Sequence, residues 1–205
     1  MGLLHKISSC TSYIGEHDYA LPKHLDIPGS VFFYADNYCR FEVVPVENLL
    51  TSHKDDNHIP QFAEKTFTGH GFLKCTCRDE LPYPIGNMNI HKKEFKALIK
   101  CNALYYFDTV YTGSADEREL NRNTRGFGFE NYLLYYRFND DDMISTCWLD
   151  YNPLSETLNT YPERLQHTLH QIGHTYGLVL IDWDDCQTVN LANKHALESY
   201  MQEDL

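Results

Sequence analysis

Thr160-Tyr161-Pro162-Glu163-Arg164-Leu165-Gln166-His167-Thr168-Leu169-His170-Gln171-Ile172-Gly173-His174-Thr175-Tyr176-Gly177 and its continuation Leu178-Val179-Leu180-Ile181-Asp182-Trp183-Asp184-Asp185-Cys186-Gln187-Thr188-Val189-Asn190-Leu191 hold the punctuation of a whole structural unit. Thr160 and Glu163 have the spacing of a capping box, and Pro162 falls in the first turn, where a missing N–H is harmless. Gly177 is placed to end the helix in the left-handed region. Between them Leu165, Leu169, Ile172 and Tyr176 recur at helical spacing and share one face, while His167, His170 and His174 share the opposite one. Leu178 to Ile181 is apolar, β-branched and too short for a helix, so it reads as a buried strand. Asp184-Asp185 makes a turn, and Cys186 to Leu191 returns as the partner strand.

Outward from this unit, Tyr132 to Phe138, the turn Asn139-Asp140-Asp141-Asp142 and Met143 to Asp150 form the clearest hairpin in the chain. A short terminal helix ends near Met201. Further back, Asn89 is positioned to cap a helix from Ile90 to about Cys101. Phe95, Leu98 and Ile99 supply its apolar face and Lys92, Lys93, Lys96 and Lys100 the rest. Ala103 to Val110 reads as one aromatic-rich strand. In the pairs Tyr105-Tyr106 and Tyr135-Tyr136, alternation places one ring inside and one outside. Val31 to Ala35 and Tyr38 to Val44 read as a hairpin around Asp36-Asn37. Residues 51–60 read as a polar loop and Leu81 to Asn87 as a Pro/Gly loop. Thr11 to Ile14 and Phe72 to Arg78 read as strands, and 151–159 as loop.

The expected fold is α+β, mainly antiparallel sheet with a few helices. The Gly-rich, mixed-charge residues 112–128 suggest a boundary between two small lobes, 1–115 and 116–205, unless the two form one continuous domain. No apolar run approaches the length of a membrane span. Met1 to Lys6 lacks a signal-peptide apolar region, and Lys6 stands where a myristoylation signal wants Ser or Thr. Seven scattered cysteines, an odd number, fit free thiols in a reducing cytosol better than a disulfide framework.

The formal net charge of −12 is uneven. Residues 1–115 carry 11 basic and 13 acidic side chains, and residues 116–205 carry 6 and 16, so the halves are −2 and −10. Such a C-terminal half repels phosphate and argues against direct nucleic-acid binding. It attracts a basic protein, although acidity also serves solubility alone.

Two stretches approach catalytic motifs. His170-Gln171-Ile172-Gly173-His174-Thr175-Tyr176-Gly177-Leu178 resembles the zinc-binding helix of the metzincin proteases over nine residues. Gln171 replaces the glutamate that would take the water's proton, and Leu180 stands at the third histidine's position. Val179-Leu180-Ile181-Asp182-Trp183-Asp184-Asp185 resembles the first motif of the haloacid-dehalogenase phosphatases, and the Asp-x-Asp of some glycosyltransferases. Only 20 residues follow Asp185, too few for the parallel sheet that the phosphatase motif opens. A Gly-rich phosphate loop is missing from residues 1–160. Cys75-Thr76-Cys77 has no zinc-finger partner spacing.

No catalytic residue, metal ligand or cofactor is therefore assigned. The acidic side chains gather instead in turns: Asp140, Asp141 and Asp142 in one, Asp182, Asp184 and Asp185 around Trp183 in the other. A tryptophan among carboxylates fits a hot spot for a basic protein surface. In general character the acidic half, Tyr132 to Tyr200, resembles bacterial toxin-immunity proteins, cytoplasmic partners of contact-dependent and polymorphic toxins. That resemblance implies an inhibitor whose acidic turns fill the basic cleft of a cognate toxin, a nuclease for instance. The alternative is a metal-dependent hydrolase using the helix histidines or the Asp-rich turn.

Overall fold

The computed structural model describes residues 30–34, 40–67, 81–113, 118–129, 132–151 and 163–203. The strands are β1 (Ser30–Tyr34), β2 (Phe41–Pro45), β3 (Tyr105–Phe107), β4 (Thr109–Gly113), β5 (Arg118–Leu120), β6 (Thr124–Phe129), β7 (Tyr132–Phe138), β8 (Ile144–Tyr151), β9 (Leu178–Asp182) and β10 (Gln187–Asn190). The helices are α1 (Leu49–Thr66), α2 (Lys92–Lys100), α3 (Glu163–Tyr176) and α4 (Lys194–Glu203), with 3-10 turns at Val46–Asn48 and Ile85–Met88. Seven strands form one antiparallel sheet in the order β10-β9-β2-β8-β7-β6-β3. A second sheet, β1-β4-β5, pairs β1 with β4 in parallel and β4 with β5 antiparallel. The architecture is α+β with mainly antiparallel sheet.

Alternation along the strands divides the large sheet into two buried faces. On one face Val43, Leu134, Tyr136, Cys147, Leu149 and Leu180 meet a helix layer. That layer is built by Phe95 and Ile99 of α2, Leu165, Leu169 and Ile172 of α3, and Leu197, Tyr200 and Met201 of α4. On the other face Tyr135 and Trp148 stack at 5.2 Å and pack with Phe33 and Val110 from the small sheet. Further along it, Leu49 at the start of α1 and Leu81 pack on Val44, Val179 and Ile181. Because both faces are covered, Tyr135 and Tyr136 are both buried, so the one-in, one-out reading fails for that pair. It holds at the sheet margin, where Tyr105 is 63% exposed while Tyr106 packs against the core.

The unit from α3 to β10 forms as its residues dictate. Gly177 closes α3 at φ +65°, in the left-handed region that glycine tolerates. Gly173 permits a close crossing, since a Cβ there would lie 2.3 Å from Leu191 Cβ. The β7–β8 hairpin also forms as read.

Other elements differ. β1 and β2 do not pair with each other: β1 lies beside β4, and β2 lies between β8 and β9. Residues 51–60 are inside α1, with Pro60 within the helix. Its inward positions include Ser52 and Thr66, whose hydroxyls donate to Asn48 and Phe62 carbonyls at 3.2 and 2.9 Å. With polar side chains satisfied in this way, α1 shows little apolar periodicity. His91, not Asn89, caps α2: its Nδ1 accepts from the Lys93 amide at 3.1 Å, while Asn89, two residues earlier, ends the Ile85–Met88 turn at φ 55°. Ala103 to Val110 splits at Asp108 into strands of two different sheets. Within residues 112–128 the described positions include β5 and most of β6. The large sheet takes β2 and β3 from before residue 116 and β6 to β10 from after it, so the division at 115/116 does not follow the sheet. The Thr160 capping box, the Asp36-Asn37 turn, the strands at 11–14 and 72–78 with Cys75 and Cys77, and the loop at 152–159 lie outside the described residues. Cys101, Cys147 and Cys186 are free thiols. Among the described residues no helix is long and apolar enough to cross a membrane.

Candidate functional site

The β9–β10 turn is built around Asp182. As the last residue of β9, and two positions from Leu180, Asp182 points into the helix layer and is 1% exposed. One carboxylate oxygen accepts the backbone N–H groups of Asp184 and Asp185 at 2.9 and 3.1 Å. The other accepts the Tyr200 hydroxyl at 2.8 Å. Burial pushes its pKa up to about 6, against the pull of these hydrogen bonds, and the charges of Asp185 and Asp184 add to the rise. Asp182 is therefore an internal fastener of turn and helix, not a surface contact residue.

Around it the turn is anchored to β2. The Trp183 amide donates to the Arg40 carbonyl at 3.0 Å, and its indole Nε1 donates to Glu42 Oε2 at 3.3 Å. Trp183 is half-buried, packed on the group formed by Val44, Val179 and Ile181. The Arg40 guanidinium forms an ion pair with Asp184. Partial burial works against that cation, yet Asp184, backed by Asp150 and Asp182, outweighs it, and the Arg40 pKa is raised. Asp184 and Asp185 remain half-exposed. The product is a tryptophan face rimmed by Glu42, Asp184 and Asp185, on the end of a rigid sheet.

The other acidic turn has a different role. Asn139 Oδ1 accepts the amides of Asp141 and Met143 at 3.0 and 2.9 Å, which shapes the loop. Asp142, at φ 64°, accepts the Lys92 amide at 2.8 Å through its carbonyl and pairs with Lys92 Nζ at 2.6 Å. It thus ties the start of α2 to the hairpin. Asp140 and Asp141 are exposed.

The topology separates the two turns. β8 and β9 both run antiparallel to β2, and Phe41 of β2 lies opposite both Leu149 and Asp182. The Trp183 turn therefore lies level with the C-terminal end of β8. The Asp140 turn precedes Ile144, about 17 Å back along the same strand direction. The two turns leave opposite ends of the sheet, so the seven residues Asp140, Asp141, Asp142, Asp182, Trp183, Asp184 and Asp185 do not make one surface.

On α3, His167 and His174 are exposed and His170 is half-buried, with the His170 and His174 rings 6.2 Å apart. Gln171, at the position of the metzincin base, accepts from Asn102 Nδ2 at 3.1 Å and joins α3 to the end of α2. Leu180, at the position of the third histidine, is fully within the core. Among the described residues no group of three or more His, Cys, Asp or Glu side chains is placed to hold a metal ion.

Arg40 and Glu42 belong to this site and were missed in the sequence. Their alternation with Phe41 and Val43 marks a strand, but pairing with a turn some 140 residues away leaves no local signal. No family model matches the chain, and no match is found among curated proteins or among solved structures.

Proposed function

We propose that this chain is a cytosolic, non-enzymatic binding protein of the bacterial immunity type. It neutralises a positively charged toxin domain, a nuclease in the first instance, by covering its basic cleft. The observation that carries the reading is the half-exposed Trp183, fixed by Glu42 and framed by Asp184 and Asp185 at one end of the sheet. An immobilised aromatic anchor with a charged rim is the usual composition of an energetically dominant contact. The contact surface is narrowed to Glu42, Trp183, Asp184 and Asp185. Asp182 is internal, Asp142 serves α2, and Asp140 and Asp141 face another direction.

The metal-dependent hydrolase has less in its favour. Among the described residues no metal-holding group forms around the histidines of α3, and the Asp182 carboxylate is already occupied by protein donors. The test is co-expression with the toxin-bearing reading frame adjacent to this gene, followed by association kinetics of the purified pair. The proposal expects rescue of growth and an on-rate falling at least about tenfold as salt rises from about 0.05 to 0.5 M. It also expects Asp184→Lys with Asp185→Lys to slow association. A salt-insensitive on-rate, or rescue untouched by the double reversal, would refute it.

A further inference from the structure

β3 ends the seven-stranded sheet, and no described strand lies on its outer side. Its two faces differ sharply in chemistry. On the helix side Tyr106 lies beneath α2, with Lys96 Nζ 3.8 Å from the ring centroid and donating to the hydroxyl at 2.6 Å. Lys100 Nζ lies 5.9 Å from the same ring, and Lys100 is exposed one turn further along the helix. On the other side Tyr105 lies across Gly128, where an added Cβ would be 3.1 Å from the tyrosine ring. Phe107 is 6.4 Å from it on the same face. On a chain with a net charge of −12, this edge thus offers two lysines above, Lys100, which is exposed, and Lys96, which is also paired with Asp108 at 3.9 Å, and apolar side chains below.

We propose that the outer edge of β3 takes up an extended peptide whose side chains alternate between acidic and apolar. Strand addition places successive side chains of the guest on opposite faces. Those on the helix side meet Lys96 and Lys100, and those on the other side meet Tyr105 and Phe107. Charge complementarity selects the acidic residue. Tyr106 and Asp108 hold Lys96 in place, so little side-chain freedom is lost when a guest carboxylate joins Asp108 beside it. A nucleic acid is disfavoured because the surrounding negative field acts on every phosphate, whereas a short peptide brings its few carboxylates only to the lysines. This surface is separate from the Trp183 end of the sheet, and the two can be tested independently.

The experiment is fluorescence anisotropy on the full chain with a labelled, end-capped octapeptide of alternating Glu and Val. The comparison probes are its Lys–Val counterpart, the Glu–Val peptide N-methylated at every second residue, and a twelve-nucleotide oligo-dT. Saturable binding of the Glu–Val peptide is expected, with at least about tenfold weaker binding of the Lys–Val and N-methylated forms. Lys96→Gln with Lys100→Gln should weaken it about tenfold, with Lys100→Gln alone, which leaves the Tyr106 contact in place, giving part of that loss. Absence of Glu–Val binding overturns the proposal. Equal binding of the N-methylated peptide does so too, because it removes the strand ladder from the recognition. Tighter binding of oligo-dT would assign the edge to nucleic acid instead.

Discussion

Asp182 offers the sharpest quantitative test of the site's construction. Its carboxyl group is raised from 3.8 to about 6, chiefly by burial. A rise of about two units corresponds to roughly 3 kcal/mol of preference for the protonated form in the folded protein. The sign follows from the direction: the contribution is fully present below about pH 4, declines as pH rises through about 6, and is gone above it. Asp182→Asn imitates the protonated group. Its amide oxygen still accepts the Asp184 and Asp185 N–H groups, and its NH2 can donate to the Tyr200 hydroxyl oxygen. Urea unfolding followed by the fluorescence of Trp148 and Trp183, from pH 4.5 to 8, reads the difference between variant and wild type. If Asn reproduces the protonated group, Asp182→Asn should already lead by about 1 kcal/mol at pH 4.5 and by about 3 kcal/mol at pH 8. Asp182→Ala leaves two amides and the Tyr200 hydroxyl without their acceptor and should lose about 1–3 kcal/mol or more at every pH. An Asp182→Asn curve parallel to wild type, or one lying below it at pH 8, would refute the account of Asp182 as a buried, reluctantly charged fastener.

Gly173→Ala forces a Cβ to within 2.3 Å of Leu191 Cβ and 2.6 Å of the Leu191 carbonyl carbon, and backbone cannot yield cheaply. A loss of about 3 kcal/mol in urea unfolding is expected. His91→Ala removes the acceptor of the Lys93 amide and should cost about 1 kcal/mol, while Asn89→Gly, at a left-handed position, should be close to neutral. The reverse order would restore Asn89 as the cap. Trp148→Ala empties a buried site against Phe33 and Tyr135, and should lose about 3–5 kcal/mol with a lower thermal midpoint.

What the sequence discloses is what neighbouring residues decide among themselves. The spacing of Leu165, Leu169 and Ile172, the left-handed stop at Gly177 and the alternation through Tyr132 to Phe138 are local, and those elements form. The partners of β1 and β2 are not local. Phe32 lies opposite Tyr111 and Phe41 opposite Asp182, while the short stretch between the two strands looks like a hairpin turn. α1 escapes a hydrophobic reading because Ser52 and Thr66 are buried with their hydroxyls returned to the helix backbone. Tyr135 and Tyr136 both lie inside because the small sheet covers a face that a simple antiparallel hairpin would leave to solvent. At the site, Trp183 and its acidic neighbours were legible as a turn. The inward direction of Asp182 follows from strand alternation with Leu180, but only once β9 is taken one residue further than its apolar run.

The charge asymmetry along the chain also changes meaning in three dimensions. Halves of −2 and −10 suggest an acidic lobe, yet the halves share one sheet. Arg40 and Glu42 from the first half complete the Trp183 turn of the second, and Lys92 of the first neutralises Asp142 of the second. Negative charge is therefore not a property of a lobe; it gathers at particular strand ends, at one of them beside Arg40, which pairs with Asp184. Because β8 and β9 run in the same direction, the hairpin turn that opens β8 and the hairpin turn that closes β9 face opposite ways. A partner seated on Trp183 can draw on Glu42, Asp184 and Asp185 directly. From Asp140 and Asp141 it receives only a screened, long-range attraction, since their separation exceeds the ~8 Å Debye length at physiological salt. On the proposed reading, affinity at that surface would rest on a few residues around Trp183, and the distant carboxylates would act mainly on the rate of encounter.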